Sequence, residues 1–179
     1  MKKLLFESIK TKFLKFRLVE EDDAPFILEL RTDHRYNKYL STVIPDLDKQ
    51  KEWLHDYKQR EQKGQEYYFI ITDKIDQNIG TVRLYDFLKE SFCWGSWILN
   101  EKKPRLGALE SAMLVYKIGF DLLDFQQSHF DVMCENIRVI EFHKKFGAEI
   151  VSTDEQNVYF ILKKQKFKNS IEKFNKFFI

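Results

Sequence analysis

Apolar and polar positions follow two rhythms along the chain, and each rhythm predicts an element. Phe16-Arg17-Leu18-Val19 is a short, partly alternating run that predicts a first strand. The acids Glu20 to Asp23 then stand ahead of Ala24-Pro25 and an apolar run through Phe26, Ile27 and Leu30. Acids oppose the positive end of a helix dipole, and proline fits the first turn because its missing N–H has no partner there. The pattern therefore predicts a helix ending near Arg31. Thr32 to Pro45 shows no period and carries His34, Tyr36 and Tyr39. Asp46 and Asp48 open a polar helix through Trp53, Leu54 and Tyr57 that stops near Gly64.

The middle of the chain reads as strands in succession. Tyr67-Tyr68-Phe69-Ile70-Ile71 is rich in β-formers, Asp76-Gln77-Asn78 has turn chemistry, and Ile79 to Tyr85 is a second run. After the polar break Lys89-Glu90-Ser91, Phe92 to Leu99 is a third, so an antiparallel meander is expected. The rhythm then changes. Ala108 to Phe120 predicts a strongly apolar helix, His129 to Cys134 a strand, Arg138 to Phe146 a short helix stopped by Gly147, and Asn157 to Leu162 a last strand. From Lys163 to Ile179, Phe167, Ile171, Phe174 and Phe178 recur at helical spacing among six lysines. That tail reads as an amphipathic helix, which leaves open packing on the domain, a homodimer arm, or contact with an anionic membrane surface. The whole predicts one α/β domain over residues 1–179 (mixed α+β, a central mixed sheet flanked by helices), with a core over 14–163 and an extra helix over 164–179.

Composition narrows the class. A chain of 179 residues with 44% hydrophobic positions buries roughly 70% of its unfolded surface. Thirty Lys+Arg against 28 Asp+Glu leave a net charge of +2, too balanced for a dedicated nucleic-acid binder. Cys93 and Cys134 make no disulfide framework, and no Cys/His grouping has zinc spacing, so a reduced, metal-free cytoplasmic domain is expected. Met1 to Phe6 is too short an apolar stretch for a signal peptide, and no run approaches a membrane span.

Candidate chemistry concentrates after Leu99. A strand ends, Asn100-Glu101-Lys102-Lys103-Pro104-Arg105-Leu106-Gly107 follows, and a long helix begins at Ala108. Free amides and the dipole at a helix N-terminus make an anion site, three basic side chains add charge, and Gly107 permits close approach. A pyrophosphate suits such a junction; the plain alternative is an ordinary loop with solvated basic residues.

The stretch Asp131 to Ala148 shifts the weight between them. Its Asn136, the His143 seven positions on and the Phe146-Gly147 pair resemble the second half of the GNAT acetyltransferase core. The helix after Gly107 and the Ile79-Gly80-Thr81-Val82 run agree, so the resemblance covers roughly residues 14 to 163. One departure stands out: the family's pyrophosphate loop carries an earlier glycine where this chain has Arg105, and its leading Gln/Arg becomes Lys102. The resemblance implies acetyl transfer from acetyl-CoA, without a metal, to the primary amine of a small-molecule acceptor. It implies cofactor contacts from Trp97, Ile98, Leu99, Lys102, Lys103, Arg105, Leu106, Gly107, Ala108, Asn136, Arg138 and His143. It also implies an oxyanion donor among the backbone amides of Trp94 to Leu99. His143 stands where relatives carry the acid that protonates the leaving thiolate, and histidine can do that at neutral pH. Its bland reading is a packed or surface histidine on an amphipathic helix. No obvious base is present; Glu66, Asp86, Asp131 and Glu135 are candidates acting through water.

For the acceptor, Tyr36, Tyr39, Tyr67, Tyr68, Arg83, Tyr85, Trp94 and Ser96 offer aromatic platforms, hydroxyls and one cation, which suit a sugar or nucleotide better than an aliphatic amine. Core packing is the competing fate of each aromatic. The favoured acceptor is an amino sugar or a nucleotide-linked amino sugar, followed by a protein N-terminal amine. A CoA-binding module without catalysis and a structural protein that assembles through its phenylalanines are the other readings.

Overall fold

The computed structural model describes residues 8–175. Among these, eight strands form one sheet, in the order β1-β2-β3-β4-β5-β6-β8-β7. They are β1 (Ser8–Lys10), β2 (Lys15–Leu18), β3 (Tyr67–Thr72), β4 (Asn78–Tyr85), β5 (Ser91–Leu99), β6 (Gln127–Met133), β7 (Glu149–Thr153) and β8 (Asn157–Lys163). Strands β1 to β5 are antiparallel to their neighbours, β5 and β6 are parallel, and β6, β8 and β7 are again antiparallel. The helices are α1 (Ala24–Thr32), α2 (Leu47–Gln62), α3 (Gly107–Lys117), α4 (Ile137–Lys145) and α5 (Lys164–Asn175).

The predicted starts have visible causes. The Asp46 carboxylate accepts from the Asp48 and Lys49 amides at 3.0 and 3.1 Å, which caps α2. Asp23 does not cap α1; it receives the Arg17 guanidinium through two 2.7 Å hydrogen bonds. Two strands are missing from the sequence pattern. β1 has three residues, and all five residues of the edge strand β7 are exposed, so neither shows a buried-face alternation.

Helices α1 and α2 cover one face of the sheet. Val19, Ala24, Ile27, Leu54, Tyr57, Tyr68 and Ile70 form the cluster beneath them. The Tyr57 hydroxyl accepts the Tyr68 amide at 2.7 Å. Beside this cluster, buried Glu66 pairs with both Arg60 and Arg83. The Arg83 guanidinium lies over the rings of Trp53 and Tyr85, at 5.1 and 4.7 Å. The larger core, on the opposite face, holds Phe92, Trp94, Tyr116, Phe120, Phe130, Phe146 and Phe160 with α3. From α5, Phe167 is buried there, and its ring meets those of Tyr116 and Phe120 at 5.1 and 5.5 Å. The expectation for Phe178, and for the Phe174 side chain, lies outside the described residues.

α3 ends in a π-helical turn, Ile118–Leu122, rather than continuing to Phe120 as an α-helix. A Cβ on Gly119 would lie 2.1 Å from the Phe92 ring, so this glycine exists for close packing of the turn on β5.

His143 corrects an expectation. It is buried on the inner face of α4, with the Phe130 ring centroid 4.4 Å and the Trp94 centroid 5.3 Å away. Its Nδ1 is 3.1 Å from the Tyr116 hydroxyl. Burial among aromatic rings lowers its pKa from 6.5 to about 3, so at neutral pH the imidazole is uncharged and is not the ready proton donor expected from an ordinary histidine.

Two outcomes follow for stability. Gly119→Ala overpacks the Phe92 contact and should lower the unfolding free energy by about 1–3 kcal/mol in urea titrations; an unchanged midpoint would contradict the packing role. Below pH 6.5 the unfolded chain protonates His143 while the folded chain does not until about pH 3. The contribution of this group to folding stability is thus fully present above pH 6.5 and is lost as pH drops through this window, by up to ~1.4 kcal/mol per pH unit. His143→Phe should remove that part of the acid-side slope; parallel slopes for the two proteins would show the imidazole to be solvated.

Candidate active site

The site begins where two parallel strands part. β5 and β6 pair only at Ser91–Gln127 and Phe92–Ser128. From Cys93 onward the edge of β5 has no ladder partner in β6, so backbone amides and carbonyls of an interior strand face a split in the sheet. One side of the split is closed by side chains. Trp94 packs on Tyr116, Trp97 and His143. The Trp97 indole N–H donates to Ser111 of α3 at 3.1 Å, and its ring meets Phe142 of α4 at 5.5 Å.

β5 also bulges at this place. Arg83 stands opposite Gly95 but Thr81 opposite Ile98, so Ser96 and Trp97 together oppose Val82. Ser96 has φ of 48°, in the left-handed region. Its carbonyl accepts from the Thr81 hydroxyl at 2.9 Å, and its own hydroxyl accepts from Arg31 Nη1 at 3.4 Å. Gly80 permits the close approach of β4, since a Cβ there would sit 2.2 Å from the Ile98 carbonyl oxygen.

The basic loop forms one lip of the split. The Asn100 side chain accepts the Lys102 amide at 3.0 Å, and the Gly107 amide closes on Pro104 at 2.8 Å. Lys102, Lys103 and Arg105 are exposed. Leu106 precedes α3 and caps nothing with its side chain, which leaves the amides of the first turn at Ala108 and Leu109 without intrahelical acceptors. Arg105 does not adopt positive φ, so the missing family glycine is no obstacle to this loop. Buried Gly107 has a packing role: a Cβ would lie 3.3 Å from Pro104 Cδ. The other lip is the start of α4. The Asn136 carbonyl accepts the Val139 and Ile140 amides at 3.0 and 3.1 Å, its carboxamide makes no capping bond, and Arg138 is exposed.

The irregular segment between α1 and α2 spans both lips. Tyr36 bonds the Glu101 carboxylate beside the basic loop, and the Tyr39 hydroxyl donates to the Glu135 carbonyl at 3.5 Å beside α4.

The expected acceptor residues divide between the two faces. Arg83, Tyr85 and Ser96 lie on the α1/α2 side, and Tyr39 lies above the split. Tyr85 leans over Gly95, where a Cβ would come within 3.0 Å of its hydroxyl. Arg83 is committed to Glu66 rather than free for a ligand. Tyr67 and Trp94 do not join them. Each is buried in the larger core on the opposite face, because strand alternation puts Tyr67 with Leu84 and Trp94 with Tyr116. The Trp97 side chain is likewise turned into the core, so only its backbone borders the split.

The base candidates are sorted in the same way. Glu66 is closed in its ion triad, and Asp86 holds His129 Nε2 at 2.9 Å while His129 Nδ1 meets Ser91 at 2.6 Å. Exposed Asp131, on the β6 side of the split, bears on the buried Cys93 thiol, which burial pushes up to about 11. Arg31 was not foreseen. One arginine at a helix C-terminus carries no signal in the sequence that it will reach a bulge 65 positions away.

A model of the GNAT acetyltransferase domain matches residues 14–149. A search of curated proteins gives no significant match. Among solved structures, apo FdhC, described as a nucleotide-linked sugar GNAT, superposes with a TM-score of 0.88 at 49% identity, covering 96% of this chain and 98% of that one. Mutant forms of the spermidine/spermine N-acetyltransferase SpeG from Vibrio cholerae superpose at 0.71 with 17% identity, over 87% of this chain and 96% of theirs, a likeness of fold. A dodecameric spermidine N-acetyltransferase from the same organism gives 0.70 at 18%, with the same coverage. With its split sheet, bulged strand and basic loop, the chain belongs to the GNAT acetyltransferase family.

Proposed function

We propose that this enzyme transfers an acetyl group from acetyl-CoA to the primary amine of a nucleotide-linked amino sugar. The observation that carries the reading is the combination of the β5–β6 split with a cationic lip at the N-terminus of α3. The FdhC likeness, spanning nearly the whole of both chains, favours the sugar acceptor over a protein amine.

The residues present fit a diphosphate-bearing thioester. Lys102, Lys103 and Arg105 face solvent beside the unpaired first-turn amides of α3, where an anion gains both charge and hydrogen bonds. Asn136 and Arg138 serve the opposite lip. In this reading Trp97, Ile98 and Leu99 offer backbone groups along the split, and a bulge amide donates to the acyl oxygen. A preorganised donor of that kind is worth about 3–4 kcal/mol in acyl transfer. Acetyl-CoA supplies the activated acyl group when bound. The Trp94–Trp97 wall closes one side, so an amine approaches from the side of Tyr85, Gly95 and Asp131. Carboxylate there attracts an ammonium and can take its proton through water. Uncharged His143, bonded to Tyr116, acts by positioning Trp94 and α4 rather than by donating a proton from an imidazolium.

The direct test is thiol release. Wild-type protein with acetyl-CoA should liberate free CoA faster with nucleotide-linked amino sugars than with spermidine or an N-terminal peptide; the reverse order would reassign the acceptor. Replacing Lys102, Lys103 and Arg105 together by Ala should weaken acetyl-CoA by about tenfold and flatten the dependence of affinity on salt. Unaltered affinity in calorimetry would move the cofactor elsewhere.

A further inference from the structure

Arginines on the α1/α2 side of the sheet are neutralised, with one exception. Arg17 pairs with Asp23, Arg35 with Asp33, and Arg60 and Arg83 share Glu66. Arg31 has no carboxylate within ion-pair distance among the described residues. Its Nη2 donates to the Ser41 carbonyl at 3.0 Å and to the Ser41 hydroxyl at 2.8 Å, while Nη1 reaches the Ser96 hydroxyl at 3.4 Å. Its Nε is buried and bonded to nothing. The Tyr68 hydroxyl is buried beside Thr81 and Arg31, close enough to both for polar contact, and adds another neutral oxygen to the surroundings of the guanidinium. A guanidinium held by neutral oxygens, with one donor orphaned, is an incomplete arrangement, because buried donors are ordinarily satisfied and confined charges ordinarily paired.

Resting on the acetyltransferase reading above, we propose that Arg31 is the specificity-determining residue that binds a phosphate of the acceptor, and so selects nucleoside-diphosphate-linked amino sugars over free ones. The guanidinium fork matches two phosphate oxygens, which a lone ammonium cannot do with the same geometry. Its position suits the task. Arg31 touches Ser96, the residue that makes the bulge beside the split, so a phosphate held there lies close to the amine that must reach the acyl carbon. Ser41 belongs to the segment that carries Tyr36 and Tyr39 over both lips, so an anion that takes its place on Arg31 lies beside that segment. The same segment offers the two tyrosine rings to a nucleobase. In the same reading the phosphates of acetyl-CoA have other cations, Lys102, Lys103 and Arg105 on the basic lip.

Calorimetry on the full-length protein tests this with thymidine diphosphate and uridine diphosphate as probes. Wild type should bind at least one of them. Arg31→Met should weaken that binding by about 10- to 100-fold, and Arg31→Lys by less, while acetyl-CoA affinity stays within about twofold. Where Arg31→Met fails to fold, as judged by its thermal melt, Arg31→Lys decides with an expected loss of about tenfold. Equal diphosphate affinity in variant and wild type, no diphosphate binding by wild type, or a parallel loss of acetyl-CoA affinity would each overturn the assignment. Thiol release by wild type separates the two levels: release with an amino sugar but no role for Arg31 sinks this inference alone, and no binding of acetyl-CoA sinks the reading beneath it.

Discussion

At Ser96 the backbone of β5 is held in a left-handed conformation that costs an L-residue about 1 kcal/mol or more, and its neighbours compensate. Thr81 donates to its carbonyl, Arg31 reaches its hydroxyl, and Gly80 lets β4 come close enough to bind the strand on either side. The extra residue bends β5 at the same stretch where it has already left β6. A parallel pair that continued in register would bury its amides in the ladder and leave nothing to meet a thioester. The bend and the parting of strands together convert an interior strand into a surface with directed donors.

The opposite side of the split has to stay shut, and aromatic packing does this. Trp94, Trp97, Tyr116, Phe130, Phe142 and His143 join β5 and β6 to α3 and α4 across the place where the ladder is absent. Burial there keeps the imidazole neutral, which makes a histidine compatible with a wall of rings. Its hydrogen bond to Tyr116 satisfies two buried polar groups at once. The site is therefore asymmetric: apolar and sealed toward α3 and α4, polar and open toward the segment bearing Tyr36 and Tyr39.

Electrostatics follow the same division. Lys102, Lys103 and Arg105 lie on a loop whose positive charge is exposed to solvent. Arg83 looked equally available as an isolated cation in a strand, but Glu66 lies on the same face and claims it together with Arg60. Arg31 is the reverse case: unremarkable in its helix, it ends beside the bulge with only neutral partners. Which arginine is free for a ligand depends on where the carboxylates end up in three dimensions.

Much of the architecture was legible in local pattern. Local pattern located α1 to α4 and the strands from β2 to β6 and β8, since each is a periodic or β-rich apolar run bounded by polar or turn residues a few positions away. Asn136, His143 and Phe146-Gly147 pointed to the family because their spacing survives in one contiguous segment. Short β1 and fully exposed β7 bury no face, so no rhythm betrayed them. The fates of Tyr67, Trp94, Arg83, Arg31 and His143 were settled only by tertiary structure. Facing, ion pairing and desolvation arise from groups tens of residues apart, and a one-dimensional pattern records which residues are apolar or charged but not which of them meet.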